Sequence, residues 1–110
     1  MRLREFNLGD WQSRLNPDIE RDFPELIARR EGDPWNFRPP GEASESYAML
    51  SVRVLDWLAD IDRDTVVTAH GGVMRCLYKH FVPTDIRELR MMEAHQDKIL
   101  RIADDGLSWL

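Results

Sequence analysis

The chain has 110 residues, of which 43% are hydrophobic and 32% charged, and its formal net charge is −5. This is the length of one domain, residues 1–110, which is large enough to bury a core without disulfides. The acidic balance argues against a nucleic-acid surface, no apolar stretch is long enough to cross a membrane, and a single cysteine with no apolar signal core at the N-terminus favours the cytoplasm.

The first third of the chain predicts short elements joined by loops. The pattern of residues 3–8 predicts a short extended segment or loop. Trp11 is expected to anchor this loop in the core. Asn16 is predicted to cap a helix whose first position is Pro17. A second helix is predicted from Pro24 to Arg30, because a proline inside the first helix would interrupt it.

The middle of the chain predicts a loop and then a long helix. Residues 33–41 hold three prolines and two aromatic residues, which excludes a helix or an inner strand. A helix is then predicted from Ser44 or Glu45 to Asp60. Its apolar residues recur at helical spacing, and Arg53, Asp56 and Asp60 are expected to face water. The predicted inner face consists of Tyr47, Leu50, Val54, Trp57, Leu58 and Ile61.

Residues 64–82 predict a buried strand, a glycine turn and an amphipathic helix. The strand is Thr65–Ala69, His70 stands at its end, and Gly71 and Gly72 allow a tight turn. After Pro83 we expect a short helix over residues 84–89. A strand over residues 98–103 and a second one over residues 107–110 flank a hairpin turn.

The glycine turn is a candidate binding site. A helix that begins after a strand directs unpaired N–H groups and a partial positive charge at the strand end, where phosphate or carboxylate is favoured. His70 can exchange a proton near neutral pH at that place. Taken alone, however, a glycine-rich turn with a histidine often has no binding or catalytic role. The three histidines show no metal-ligand spacing, so neither a metal nor another cofactor is predicted.

Four sequence words, in this order, resemble a known family. They are LREFNLGDW, then PPGEAS before the long helix, then VVTAHGGVMR, and finally QDKILRI with DGLSWL. The order resembles the histidine phosphatase superfamily, the phosphoglycerate mutase-like group. The resemblance covers almost the whole chain. It implies an α/β fold with a partial doubly wound sheet and helices packed on it.

The resemblance also implies site residues and a substrate class. Glu5 matches the glutamate that donates a proton to the leaving group, although by itself it reads as a solvated loop carboxylate. His70 matches the second histidine, which contacts the transferring phosphoryl group. Gly71 and Gly72 let the backbone approach that group. The implied partner is a phosphorylated small molecule, and the implied reaction is phosphoryl transfer or phosphate ester hydrolysis.

One feature of the family pattern is not found in this sequence. Members carry an Arg-His-Gly motif whose histidine takes the phosphoryl group, and the only histidines here are His70, His80 and His95. His80 and His95 are expected to be surface or structural residues. We therefore expect the C-terminal portion of such a domain, without its first strand and with little activity alone. An exposed strand edge would then favour self-association or a partner that fills it.

The sequence departs from the family pattern at two places that lie near the entrance to the substrate site in the family. The pattern Gly-Asp-Trp-Glu-Gly is found as residues 9–13 with Gln12 in place of the acid, and Pro-Gly-Gly-Glu-Ser is matched to residues 40–44 with Ala43 in place of glutamate. These changes predict altered or relaxed substrate contact. The alternatives to an enzyme of this type are a truncated pseudoenzyme acting as an anion-binding or protein-interaction module, and a fragment with no independent role.

Overall fold

The computed structural model describes residues 2–92 and 97–110. It contains one 3-10 helix at Gly9–Trp11, five α-helices and one β-hairpin among these residues. The α-helices are α1 (Asn16–Asp22), α2 (Pro24–Gly32), α3 (Tyr47–Ala59), α4 (Gly71–Phe81) and α5 (Ile86–Met91), and the strands are β1 (Leu100–Ala103) and β2 (Gly106–Trp109). The predicted α/β class is confirmed.

The core lies between α3 and α4. Its buried residues come from both helices and from the N-terminal segment, and Phe6, Tyr47, Trp57 and Leu77 pack against it at the edges. The buried residues of the core are Leu3, Leu50, Val54, Val73 and Cys76. The helical spacing therefore predicted most of the inner faces of both helices, but Ile61 and Phe81, which were expected on those faces, are exposed. The single cysteine is a buried thiol.

The helix ends follow local side-chain chemistry. Ser46 caps α3, since its hydroxyl accepts a hydrogen bond from the Met49 N–H at 3.1 Å. Asp85 caps α5 in the same way through the Arg87 N–H at 2.8 Å. The prediction of Asn16 as a cap is wrong, because Asn16 is the first residue of α1 and Leu15 holds the cap position.

The loop before α3 is held by aromatic contacts, as expected. Trp11 is 2% exposed, and its ring lies 5.7 Å from that of Phe23 and 5.6 Å from that of Phe37. Trp35 stacks on Tyr47 with 6.2 Å between ring centroids. These contacts fix the loop against the start of α3.

The strand predicted over Thr65–Ala69 is absent from the described structure. Residues 61–70 are all exposed and form no strand, and Val66 is 95% exposed. The only sheet in the described residues is the antiparallel hairpin, where Leu100 pairs with Trp109. Val and Thr make a segment suitable for a strand, but a strand needs a neighbour to bond its backbone, and the described residues supply none here.

Candidate functional site

The turn that begins α4 is the first part of the candidate site. His70 holds the N-cap position with an extended backbone, and its side chain makes no cap hydrogen bond. Its carbonyl accepts a hydrogen bond from the Met74 N–H at 3.0 Å. His70 is exposed, so its imidazole is open to a ligand in solution.

Glu5 lies against the same turn. Its carboxylate accepts hydrogen bonds from the N–H of Gly72 at 3.1 Å and from the N–H of Phe6 at 3.1 Å. Gly72 is one of the first residues of α4, whose free N–H groups and positive end favour a negative group. The structure thus brings together Glu5 and Gly72, which are 67 residues apart in the chain.

The lack of a side chain at Gly72 leaves room for the Glu5 carboxylate. A Cβ atom at this position would overlap the Glu5 carboxylate and would lie 3.2 Å from the side chain of Leu50. Gly72 is also buried. The absence of a side chain is therefore what allows the carboxylate to reach the backbone of α4.

An open groove of about 390 Å³ borders Glu5. Its lining consists of Arg4, Glu5, Phe6, Asn7, Leu8 and Gln12. The Gln12 side-chain oxygen accepts a hydrogen bond from the Leu8 N–H at 3.1 Å, so it helps to shape the groove wall. One of the two sequence departures therefore lies beside Glu5. His70 does not line this groove.

The sequence interpretation of Arg53 as a water-facing residue is wrong. The Arg53 side chain is only 15% exposed and pairs with Glu45, 10% exposed, at 3.0 Å. Position 53 lies one helical turn from both Leu50 and Trp57, on the inner face of α3. That spacing could have revealed a buried arginine. The prediction instead placed Arg53 in water because its side chain is charged.

The pKa of the Glu45 carboxyl lies below its ordinary value of 4.5. Burial by itself raises the pKa, but the hydrogen bonds from Arg53 and from the Asn7 N–H, together with the nearby positive charge, outweigh that effect. Glu45 is thus held in its ionised form by its partners.

The Glu-Ser pair of the family pattern has a second match in this sequence. Glu45 and Ser46 directly precede α3, where Ser46 is the cap. The residue matched earlier to the family glutamate, Ala43, lies in the loop before them.

Two more groups near the turn were not predicted as site residues. Burial raises the pKa of the Tyr47 hydroxyl, while Arg75, which donates a hydrogen bond to it, lowers that pKa in part. Arg75 also donates to the Met92 carbonyl at 3.1 Å. Burial raises the pKa of the Cys76 thiol to about 12, and Glu5 adds to this effect. Arg75 thus places a positive charge one turn beyond Gly72.

Among the described residues, the other histidine and the remaining ligand-type side chains form no metal site. His80 is exposed, and its ring contacts that of Phe81 at 4.9 Å. His95 lies outside the described residues. Within residues 2–92 and 97–110, no three His, Cys, Asp or Glu side chains are grouped so that they could hold a metal ion. Among the same residues, no helix combines the length and apolar character that a membrane span requires.

Comparison with known proteins gives several related sequences. The chain is 28% identical over 102 residues to a 6-phosphofructo-2-kinase/fructose-2,6-bisphosphatase of Aquarana catesbeiana, covering 91% of this chain and 21% of the relative. It is 29% identical over 83 residues to 6-phosphofructo-2-kinase 1 of Saccharomyces cerevisiae, covering 73% of this chain and 10% of the relative. The chain thus spans about a fifth or less of these relatives.

A solved structure shares the fold. It is a mycobacterial glucosyl-3-phosphoglycerate phosphatase in complex with inorganic phosphate, with a TM-score of 0.61 and 23% identity, covering 99% of this chain and 59% of the neighbour. The family model of the histidine phosphatase superfamily (branch 1) matches residues 1–109. This chain therefore belongs to the histidine phosphatase superfamily.

Proposed function

We propose that the chain is part of a phosphoryl-transfer enzyme, a phosphatase or a mutase, that acts on a phosphorylated small molecule. In this proposal His70 contacts the phosphoryl group, and Glu5 donates a proton to the leaving group. Gly71 and Gly72 let the backbone approach the same group. A fructose-2,6-bisphosphatase relative and a structural neighbour in complex with inorganic phosphate support this substrate class.

The observation that carries the proposal is the hydrogen bond between the Glu5 carboxylate and the Gly72 N–H at 3.1 Å. It joins the proposed proton donor to the turn that follows the proposed phosphoryl-contacting histidine. Two residues singled out from distant sequence words therefore meet at one helix end.

The local chemistry suits phosphoryl transfer. The transition state spreads negative charge over the phosphoryl oxygens, so catalysis relies on positioning and on positive or donor groups. A cationic His70, the N-terminal end of α4 and the Arg75 guanidinium are groups of this kind. Glu5 must carry a proton to act as the acid, which an incoming phosphoryl dianion beside it would favour.

We infer that these 110 residues alone have little or no activity. The sequence contains no Arg-His-Gly, so a phosphoryl-accepting histidine and its arginine partners would have to come from elsewhere. An assay of the chain on p-nitrophenyl phosphate should give background turnover. Turnover well above background that disappears in His70→Ala would contradict this inference.

The function itself is tested by the DNA upstream of Met1. If an in-frame or frame-shifted Arg-His-Gly segment is encoded there, the chain extended by that segment should hydrolyse phosphate esters. Because general acid catalysis contributes about 10²–10⁴-fold, Glu5→Gln should lower the rate by that order. If neither Glu5→Gln nor His70→Ala changed the activity of the lengthened chain, the proposed roles would be refuted. No such segment upstream would favour a pseudoenzyme that binds anions or proteins.

A proposal on assembly rests on the exposed residues 61–70. Val66 and Val67 are 95% and 41% exposed, and a segment with unpaired backbone groups can pair with another chain. We expect self-association or a partner strand at this place, in a cytoplasmic protein. Light scattering at several concentrations tests this, and a stable monomer at all of them would count against it.

A further inference from the structure

The guanidinium of Arg53 uses all of its nitrogens. Nε donates to the Glu45 carboxylate at 3.0 Å, and one terminal nitrogen donates to the same carboxylate at 3.1 Å. The same terminal nitrogen donates to the carbonyl of Glu5 at 3.1 Å. The other donates to the carbonyls of Arg2 and Arg4, both at 2.7 Å.

Glu45 completes this arrangement from the other side. Its carboxylate also accepts a hydrogen bond from the Asn7 N–H at 2.9 Å, and the Asn7 carbonyl accepts one from the Glu45 N–H at 2.8 Å. Arg53 and Glu45 therefore bind the backbone of residues 2–7 at five points. We call these two side chains and the segment they bind the Arg53 clamp.

The clamp acts on the one irregular segment that carries Glu5. Residues 3–8 form neither helix nor strand, so no ladder of backbone bonds fixes where Glu5 lies. The carbonyl of Glu5 is instead bound by Arg53, and its carboxylate meets Gly72. We propose that Arg53 is a positioning residue, which through Glu45 and the carbonyls of residues 2–5 holds the Glu5 carboxylate at the start of α4.

This inference rests on the proposed function only for its catalytic meaning. The placement of Glu5 can be measured without any substrate. Arg is needed for it because its planar fork reaches a carboxylate and several carbonyls at once, whereas Lys is a compact point charge with three donors. Arg53→Lys keeps the positive charge beside Glu45 but cannot serve all these acceptors.

Amide hydrogen exchange by NMR tests the positioning role. In Arg53→Lys the Gly72 N–H should exchange faster relative to the Cys76 N–H, which lies in the interior of α4. The expected rise in the ratio is roughly two- to tenfold, equivalent to losing one hydrogen bond. Glu5→Gln should raise the same ratio. The control Arg2→Lys alters a side chain of the same segment that faces solvent toward Asp56 and Asp60, and it should leave the ratio unchanged.

A purely structural role for Arg53 would give a different result. Loss of global stability speeds exchange at Gly72 and Cys76 together, so an unchanged ratio in Arg53→Lys would overturn the proposal. If Arg53→Lys does not fold, Glu45→Leu/Arg53→Met removes both charges and leaves neither unpaired. In this double variant the Gly72 N–H should again exchange faster relative to the Cys76 N–H than in the unmodified chain. An unchanged ratio would refute the proposal.

The two proposals fail in separable ways. A selective change at Gly72 with no phosphatase activity in any form of the protein would refute the proposed function and leave the positioning role intact. In an active extended chain, Arg53→Lys should lower kcat and leave KM nearly unchanged, and it should add little to the loss caused by Glu5→Gln. Full additivity of the two losses would contradict a role through Glu5.

Discussion

Two segments lead to the candidate site, residues 2–7, which the Arg53 clamp binds, and residues 61–70. They differ in the contacts that fix them to the rest of the chain. The clamp fixes residues 2–7 with one buried ion pair and backbone bonds. Residues 61–70 have comparable apolar content but are exposed along their whole length. The difference shows that an apolar pattern is buried only where the chain also supplies a partner for it.

The same contrast divides the site itself. Glu5 is fixed at the start of α4 by the clamp and by Gly72, whereas His70 ends a segment that nothing in the described residues pairs with. Substitutions in the clamped region should therefore have large effects on the free energy of unfolding, and those in residues 61–70 should have small ones. The following predictions test this contrast, beginning with the largest expected effect.

Breaking the clamp at Arg53 should be the most damaging change. Arg53→Met removes the main partner of the buried Glu45 carboxylate, which keeps the Asn7 N–H at 2.9 Å and the Arg4 guanidinium at 3.9 Å. We therefore expect a loss of about 3 kcal/mol, the lower end of the range for breaking a buried ion pair. Urea unfolding followed by circular dichroism measures this loss. A loss below about 1 kcal/mol, the size expected of an exposed ion pair, would mean that the clamp does not hold the fold together.

Two valines provide a matched comparison of the regions. Val54 is fully buried in α3 and Val66 is 95% exposed. Val54→Ala removes two buried carbon groups and leaves a small cavity, so we expect a loss of about 2 kcal/mol. At a concentration where light scattering shows a monomer, Val66→Ala should change the free energy of unfolding by less than about 0.5 kcal/mol. Equal losses in urea unfolding would show that residues 61–70 are buried against a partner in solution.

The contact between Glu5 and Gly72 can be broken by one methyl group. Gly72→Ala would drive a Cβ into the Glu5 carboxylate. Overpacking costs about 1–3 kcal/mol, and the helix gains about 0.5–1 kcal/mol from alanine, so a net loss of about 1 kcal/mol is expected in thermal unfolding. Gly32→Ala at the end of α2 meets open space and serves as the control. If both variants were equally stable, the described approach of Glu5 would be wrong.

Acid should weaken the clamp in a defined direction. The folded-state pKa of Glu45 lies below 4.5, so its contribution to stability is present above that pH and is lost as the pH falls through the folded-state value. Glu45→Gln should flatten this part of the stability profile. Asp22→Asn is the control, because Arg21 lowers the pKa of Asp22 on the exposed surface, where screening reduces the effect. An unchanged profile in Glu45→Gln would contradict the clamp.

Much of the fold could be predicted from local signals. The inner faces of α3 and α4 followed from helical spacing, and the hairpin followed from Asp104-Asp105-Gly106 between apolar runs. The strand at Thr65–Ala69 could not be predicted correctly, because a strand depends on a neighbour that spacing within the segment does not reveal. Arg53 was missed because a buried charge is rare without a partner, and Glu45 was not recognised as that partner.

The site was predictable only in part, and by a different kind of signal. No local pattern links Glu5 to Gly72, and their proximity was expected only from the family resemblance. In the structure the Glu5 carboxylate accepts a hydrogen bond from the Gly72 N–H, while the roles of both residues stay predictions. To predict the Arg53 clamp, one would have to know which face of α3 contacts the N-terminal segment. Only the packing of the folded chain shows this.

We propose that Glu5 and the turn His70-Gly71-Gly72 face one anion. Titration of the 110-residue chain with inorganic phosphate, followed by NMR of the backbone amides and the His70 ring, tests it most directly. We predict saturable shifts at Gly71, Gly72 and the imidazole, which are lost in His70→Ala and retained in Glu5→Gln, where one negative charge has been removed. Shifts that are absent, or that are the same in His70→Ala as in the unmodified chain, would contradict the account.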